Sequence, residues 1–342
     1  MIMENKILKE LEKTSEIIKW AKGQDVSGLK RFMEAEPSKP LVCIGSGGSF
    51  STCKFISLMY STGKGLGTAL TPYSVYSISE DVLKNCKILL VSNSGHNKDI
   101  SSIAKRCMQI NPEWTANLTT ADGGKNDLKK IISARNSFNY ESGIKDGFIS
   151  INSVTANYAL VLKAFKGDFE IGFNNSDDKG IFDYRGINHY IVLYGGWGEP
   201  AAFDFESKIV ESGIATCAVS DYRNFCHGRF IFASNHCGHE KKVNIPNDCA
   251  VVMIMTPREA PFADKIRNIL PDRCKKITIE TFAKGAEASL ELMLQASELA
   301  GYIASQNNIN PMSPPNHGPI DKLKPIQLPF ISDLKKSGPL TI

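Results

Sequence analysis

Short apolar runs, each ending in a glycine- or serine-rich turn and followed by a stretch of helical period, set the pattern of this chain. Residues 4–21 place Ile7, Leu11 and Ile18 on one face, which predicts an amphipathic helix, and Pro37 and Pro40 close that region. Leu41–Ile44 is an apolar run leading directly into Gly45-Ser46-Gly47-Gly48-Ser49, after which Phe50–Tyr60 reads as a helix. Thr71–Ile78 and Lys87–Ser92 are the next predicted strands, the second ending in Asn93-Ser94-Gly95-His96-Asn97-Lys98-Asp99. A helix opens at Asp99 with Ile100, Ile103, Ala104 and Cys107 along one face, and Trp114–Thr119 is the following strand.

The second half starts the pattern again. His189–Tyr194 is an apolar strand, followed by Gly195-Gly196-Trp197-Gly198-Glu199-Pro200 and a helix over Ala201–Ser212. Ala250–Met255 reads as a buried strand, Pro261–Ile269 as a helix and Lys276–Glu280 as a further strand. Strand, loop and helix in repeated order predict the α/β class, a parallel sheet covered by helices on both faces. Two strand–glycine-loop–helix openings about 150 residues apart suggest an internal duplication, with Asn152–Phe165 as the connecting helix. The expected organisation is an N-terminal helical segment (1–40), a first domain (41–166), a second domain (167–310) and a strap (311–342). The stretch Pro311–Pro329 holds six of the sixteen prolines, which favours an extended strap over a domain.

Length agrees with two cores, since 342 residues exceed what one core usually serves. Charge excludes little: the formal net charge is +4, and the bases are interspersed with acids, which argues against a nucleic-acid or membrane partner. Met1–Lys6 enters charged sequence at once, without the apolar run of a signal peptide. Nine cysteines are scattered without regular spacing, the usage of reduced thiols in a cytoplasmic protein. Cys226, His227, His236, Cys237 and His239 crowd one stretch, but their spacing matches no common zinc site and they are read as incidental, so no metal is expected.

The two loops carry the chemistry. A Gly-Ser turn between strand and helix aims unpaired backbone N–H groups at whatever lies in front of it, and glycines allow close approach, so a phosphate is well held there. Gly45, Ser46, Gly47 and Ser49 form the first such loop; Ser94, Gly95 and Asn97 form the second, with serine and amide donors. Taken alone, either loop serves equally well to reverse the chain. The first has neither the Gly-x-Gly-x-x-Gly spacing of a dinucleotide site nor the Gly-Lys-Ser/Thr of a P-loop.

Strand–GSGGS–helix, followed about fifty residues later by strand–SNSGHNKD–helix, resembles the two phosphate loops of the sugar isomerase (SIS) family. PAAFDFESKIVE, with His227-Gly228 sixteen residues after Glu211, is similar to the isomerase domain of glucosamine-6-phosphate synthase, a member of that family. The resemblance extends roughly from Leu41 to Asn310. It implies two tandem SIS domains, each with a parallel sheet of about five strands, and a homodimer. Lys208, Glu211 and His227 fall at the positions of that domain's catalytic lysine, glutamate and histidine. Aldose–ketose interconversion needs ring opening, which suits a histidine near neutral pH. It then needs one carboxylate moving a proton between C1 and C2, with its pKa lifted by burial, the role expected of Glu211. Lys208, at i,i+3 from Glu211, is expected to stabilise the oxyanion; without the family context the pair reads as a solvated ion pair.

Departures from the family pattern are as informative. There is no glutaminase domain and no N-terminal cysteine nucleophile, and Arg229 replaces the usual proline after His-Gly, adding a cation for a second anionic group. The Pro-rich tail does not align cleanly with the family's C-terminal lysine, for which Lys322 or Lys324 is a candidate substitute. The implied activity is a sugar-phosphate isomerase or aminosugar-phosphate deaminase without a cofactor; the alternative is a non-catalytic phosphosugar sensor or regulatory subunit.

Overall fold

The computed structural model describes residues 6–120, 126–143, 146–172, 182–236 and 248–312. The Pro-rich tail, with Lys322 and Lys324, lies outside them, as do Cys237 and His239. The chain divides into two compact units. Among the described residues, one comprises Ser15–Asp146 and Asn152–Asp168; the other comprises the segment ending at Thr14, Gly147–Ile151 and the chain from Phe169 to residue 312.

This division explains the first departure from expectation. The helix anticipated over 4–21 is two helices, α1 (Lys6–Leu11) and α2 (Thr14–Gly23). The unit boundary falls between Thr14 and Ser15, so the two segments serve different cores.

In the unit beginning at Ser15, α2 is followed by α3 (Ser27–Glu34), β1 (Leu41–Ile44), α4 (Gly48–Gly63) and β2 (Gly67–Leu70). Then come α5 (Pro72–Tyr76), α6 (Glu80–Lys84), β3 (Lys87–Val91), α7 (Lys98–Ile110), β4 (Thr115–Thr119), α8 (Leu128–Ile131), β5 (Ser137–Asn139) and α9 (Asn152–Lys166). The five strands form an all-parallel sheet in the order β2-β1-β3-β4-β5. β1, β3 and β4 are buried at every residue, as strands covered on both faces must be. Val42, Ile44, Ile88 and Leu90 pack on one face with Ile100, Ile103 and Cys107 of α7. On α4 and α9, Phe55 stacks on Tyr158 with ring centroids 4.4 Å apart.

Thr71–Ile78, expected as a strand, is instead a helical turn. Thr71 Oγ1 accepts from the Ser74 N–H at 3.3 Å and Pro72 occupies the first turn, so N-cap chemistry outweighs the β-branched composition. The strand lies just upstream at Gly67–Leu70. A Cβ on Gly67 would sit 2.4 Å from the Ser57 carbonyl oxygen, so only glycine lets that edge approach α4.

The other unit contains α1, β6 (His189–Tyr194), α10 (Glu199–Glu211), β7 (Thr216–Asp221), α11 (Tyr222–Asn224), a π-turn over Phe225–Arg229 and α12 (Phe230–His236). It continues with β8 (Cys249–Met255), α13 (Ala260–Ile269), β9 (Lys275–Glu280) and α14 (Glu287–Gln306). Among the described residues its parallel sheet has four strands, in the order β7-β6-β8-β9, against about five expected. Ile191, Leu193, Val251 and Met253 pack with Tyr222, Phe225 and Ile266 on one face. α10 and α14 are packed together, and α14 also receives α1 where a Cβ on Gly301 would come within 2.9 Å of Leu8. Among the described residues no helix is long and apolar enough to cross a membrane.

Candidate active site

In both sheets the first strand of the unit lies inside the sheet, and the chain leaves it to build outward on one side and then on the other. That is a topological switch point, where the loops at the carboxyl ends of two adjacent strands part and leave a crevice. In the five-stranded sheet these are the loops after β1 and β3, the two that the sequence had marked.

The loop after β1 is held close to the first turn of α4. A Cβ on Gly45 would meet Cys53 Sγ at 2.8 Å and the Ser49 carbonyl oxygen at 2.9 Å. Gly47, the residue before α4, has φ +55° and ψ −138°, a conformation open essentially to glycine, and no side chain caps the helix. A sixteen-residue helix therefore begins at the switch point with no side-chain cap on its first turn, where the Phe50 N–H bonds back to the Gly47 carbonyl at 2.8 Å, flanked by the exposed Ser46 and half-buried Ser49. Such an end favours an anion by charge and by hydrogen bonding.

The loop after β3 is built differently. Gly95 has φ +60° and lies against Asn126, whose Oδ1 would be 2.1 Å from a Cβ there. Ser92 Oγ accepts from the Gly95 N–H at 3.2 Å, and Ser94 Oγ accepts from the His96 N–H at 3.3 Å. Asn97 caps α7, its Oδ1 accepting from Asp99 and Ile100 N–H at 2.9 and 3.2 Å. The carbonyl end of Asn97 is thus committed to its own helix, and the amide NH2 is the end that can face a ligand. His96 Nδ1 pairs with Asp127 Oδ2 at 3.0 Å.

The corresponding crevice in the four-stranded sheet is filled. Glu259, following β8, lays its side chain on the loop after β6: a Cβ on Gly195 would be 2.5 Å from Glu259 Cγ. Its carboxylate accepts from the Thr256 N–H at 3.3 Å and Thr256 Oγ1 at 2.5 Å.

α10 positions the next group of side chains. Lys208 is buried and paired with Asp204, one helical turn back, and Ser297 Oγ lies 3.4 Å from the same carboxylate. The ammonium is therefore turned to Asp204 at i,i+4, not to Glu211 at i,i+3 as expected, and neither group is solvated. Glu211 is exposed and accepts from Ser207 Oγ at 2.5 Å. The burial expected of Glu211 is absent, because the last turn of α10 leaves the core. Glu206 is the carboxylate held above its ordinary range, by burial first and by the Glu211 charge second.

His227 stands at a break in the helix that follows β7. Asp221 caps α11, accepting from Arg223 and Asn224 N–H at 2.9 and 2.8 Å. The backbone then leaves helical geometry at His227 (φ −91°, ψ 32°) and Gly228 (φ +110°) before α12 begins. Gly228 is needed for that φ, and the kink presents His227 and Arg229 to solvent. Two residues bearing on the site were not singled out in the sequence. Asp204 had a signal, an acid four residues before a lysine on a helix; Glu259 had none, since only the fold brings it to Gly195.

Structural comparison places this architecture among known ones. The chain aligns with tagatose-6-phosphate ketose/aldose isomerase from Escherichia coli at a TM-score of 0.67 and 18% identity, over 91% of this chain and 95% of that one. It aligns with glucosamine-6-phosphate deaminase from Thermotoga maritima at 0.65 and 15%, over 91% and 98%. With the C-terminal domain of glucosamine-fructose-6-phosphate aminotransferase from Francisella tularensis the values are 0.62 and 13%, over 89% and 95%. The fold is that of the sugar isomerases. No protein-family model and no curated protein matches the sequence, so the likeness is carried by the fold. It extends to the domain anticipated from the loops and the helix of Lys208.

Proposed function

We propose that this chain binds a phosphorylated sugar and interconverts its aldose and ketose forms, or removes its amino group. The single observation that carries the reading is the uncapped start of α4 at the β1/β3 switch point. The other switch-point features are occupied by the protein's own groups, Asn97 on α7 and Glu259 against Gly195. The phosphate is assigned to Gly45, Ser46, Gly47 and Ser49, with donors from Ser94 and the Asn97 amide and with Gly95 allowing close approach. Glu211 takes the proton from C2 of the open-chain aldose and returns it to C1 of the enediol. His227 exchanges the proton that opens the ring, and Arg229 meets a second anionic group. Lys208 is assigned a supporting role beside Glu211, holding α10 in place through Asp204. The working form is a homodimer in the cytoplasm, and no cofactor takes part.

The test is a thermal-shift panel of hexose and hexosamine phosphates against their unphosphorylated counterparts. A ligand at 100 times its Kd adds about 2.7 kcal/mol, readily seen, and the stabilising compound is then assayed for turnover. Glu211→Gln should abolish turnover and leave affinity nearly intact. A panel in which no phosphosugar shifts the melting point would overturn the reading. The exposure of Glu211 favours a second reading, a phosphosugar sensor. In that case the phosphosugar stabilises the protein, turnover is nil, and Glu211→Gln changes nothing.

A further inference from the structure

We propose that His189, His236 and Asp248 form a zinc-binding site at the amino-terminal edge of the four-stranded sheet. His189 is the first residue of β6, Asp248 immediately precedes β8, and His236 is the last residue of α12. One ligand atom from each lies within 4.8 Å of the other two. The individual approaches are 3.6 Å for His189 Nε2 to Asp248 Oδ2 and 3.4 Å for His236 Nδ1 to Asp248 Oδ1. Zinc bonds of about 2.0–2.2 Å to nitrogen and oxygen place tetrahedral ligands about 3.4 Å apart, so little movement closes the set.

Hydrogen bonding at the back of His189 gives the stronger argument. Thr216 Oγ1 donates to the Asn188 carbonyl at 3.2 Å and lies 2.6 Å from His189 Nδ1. With its one proton on Asn188, the hydroxyl receives the Nδ1–H, which leaves Nε2 as the ring atom turned to the Asp248 carboxylate. The space between Nε2 and that carboxylate is one that a proton or a metal ion fills. A hydrogen bond orienting the distal ring nitrogen is the usual support of a metal-ligating histidine. Asp248 is steadied in the same way, with Asn188 Nδ2 donating to Oδ2 at 3.4 Å. Phe232 holds both rings: it stacks on His236 at 4.2 Å and meets His189 edge-on at 5.3 Å.

Two imidazoles and one carboxylate suit zinc, with water completing the tetrahedron. Because the strands are parallel, this edge is opposite the loops at the strands' carboxyl ends, so the ion is structural. It ties the end of α12, the helix that follows the His227–Gly228 kink, to the sheet. His236 had been grouped in the sequence with Cys226, His227, Cys237 and His239; its partners come instead from the starts of β6 and β8.

The experiment strips the full-length protein with a chelator, dialyses it against zinc and measures bound metal together with the melting temperature. One zinc per chain and a raised melting temperature are expected, and both should be lost in His189→Ala and in Asp248→Asn. Thr216→Val, which touches no ligand atom of the ion, should weaken affinity about 10- to 100-fold, and it supplies the answer should the ligand variants fail to fold. The proposal is overturned by wild-type protein that retains no zinc. It is equally overturned by variants, Thr216→Val included, that bind zinc as wild type does, which would point to the cysteines.

Discussion

Breaking the Asp204–Lys208 pair tests the largest electrostatic commitment in the α10 region. The side chains are 0% and 2% exposed, so removing one partner leaves the other charge inside the protein. Breaking a buried pair in this way costs about 3–5 kcal/mol, whereas replacing both partners by apolar groups of similar volume is often neutral or stabilising. Asp204→Leu should therefore destabilise this unit by about 4 kcal/mol, and Asp204→Leu/Lys208→Met should recover most of that loss. At a urea slope of about 2 kcal/mol/M the single variant's midpoint falls by about 2 M. The chain has two compact units, so the probe must report on this one. Trp197 lies beside α10 in the unit that contains Asp204, and Trp20 and Trp114 lie in the other. A background with Trp20 and Trp114 changed to Phe makes fluorescence specific. A double variant as unstable as the single would refute the reasoning, because the loss would then come from packing.

Other expectations follow from single groups. Lys87 is fully buried, its ammonium donating to the Met33 carbonyl at 3.0 Å, and burial lowers its pKa to about 8. Below pH 8 both folded and unfolded chains hold the proton and the full penalty is present. As pH rises from about 8 toward 10.5, the folded chain releases its proton first, so stability gains. That gain should be absent from Lys87→Met, and so should appear as a pH-dependent difference between wild type and variant in urea melts taken across this window. Gly228→Ala, at φ +110°, should cost about 1–3 kcal/mol and show a reset of the kink as changed His227 chemical shifts. Asn139 Oδ1 accepts from Asn117 Nδ2, Thr119 Oγ1 and Asn126 Nδ2. Asn139→Leu strands these donors at about 1–3 kcal/mol for each one left unsatisfied, and hydrogen exchange should speed up around Asn126 and the Gly95 loop it supports.

What could be read in the sequence was whatever has a local cause. β1, β3, β6 and β8 are continuous apolar runs, and the Gly-Ser loop after β1 announces itself by residues that only a tight turn requires. β7 escaped because an edge strand exposed at alternate positions, Thr216 to Asp221, lacks an apolar run. α14 escaped for the opposite reason. Its residues are buried on nearly every side, so no polar face marks a helical period. At the site, Lys208 had two acids within reach along α10, Asp204 and Glu211. Tertiary burial chose between them: the turn holding Asp204 faces α14, and the turn ending at Glu211 leaves the core. No local pattern contains that information, and none could have joined His189, His236 and Asp248 across the second half of the chain.

The two sheets share a strand order, and each therefore has a switch-point crevice, yet only one is left for a ligand. In the four-stranded sheet Glu259 supplies an anionic group permanently, lying on Gly195 and bonded through Thr256. α10 has no side-chain cap either, so it is the Glu259 carboxylate that sets this crevice apart. In the five-stranded sheet the start of α4 has no side-chain cap, and an anion at a helix N-terminus is worth about 0.3–1 kcal/mol, more when partly buried. The stabilisation withheld there is available only when a ligand arrives. Phosphate binding should therefore slow hydrogen exchange in the Gly45–Phe50 and Ser92–Ile100 segments and leave Gly195–Glu199 as it was. Equal protection of both crevices would mean that Glu259 does not occupy the second one in solution, and the asymmetry assigned to the two sheets would be wrong.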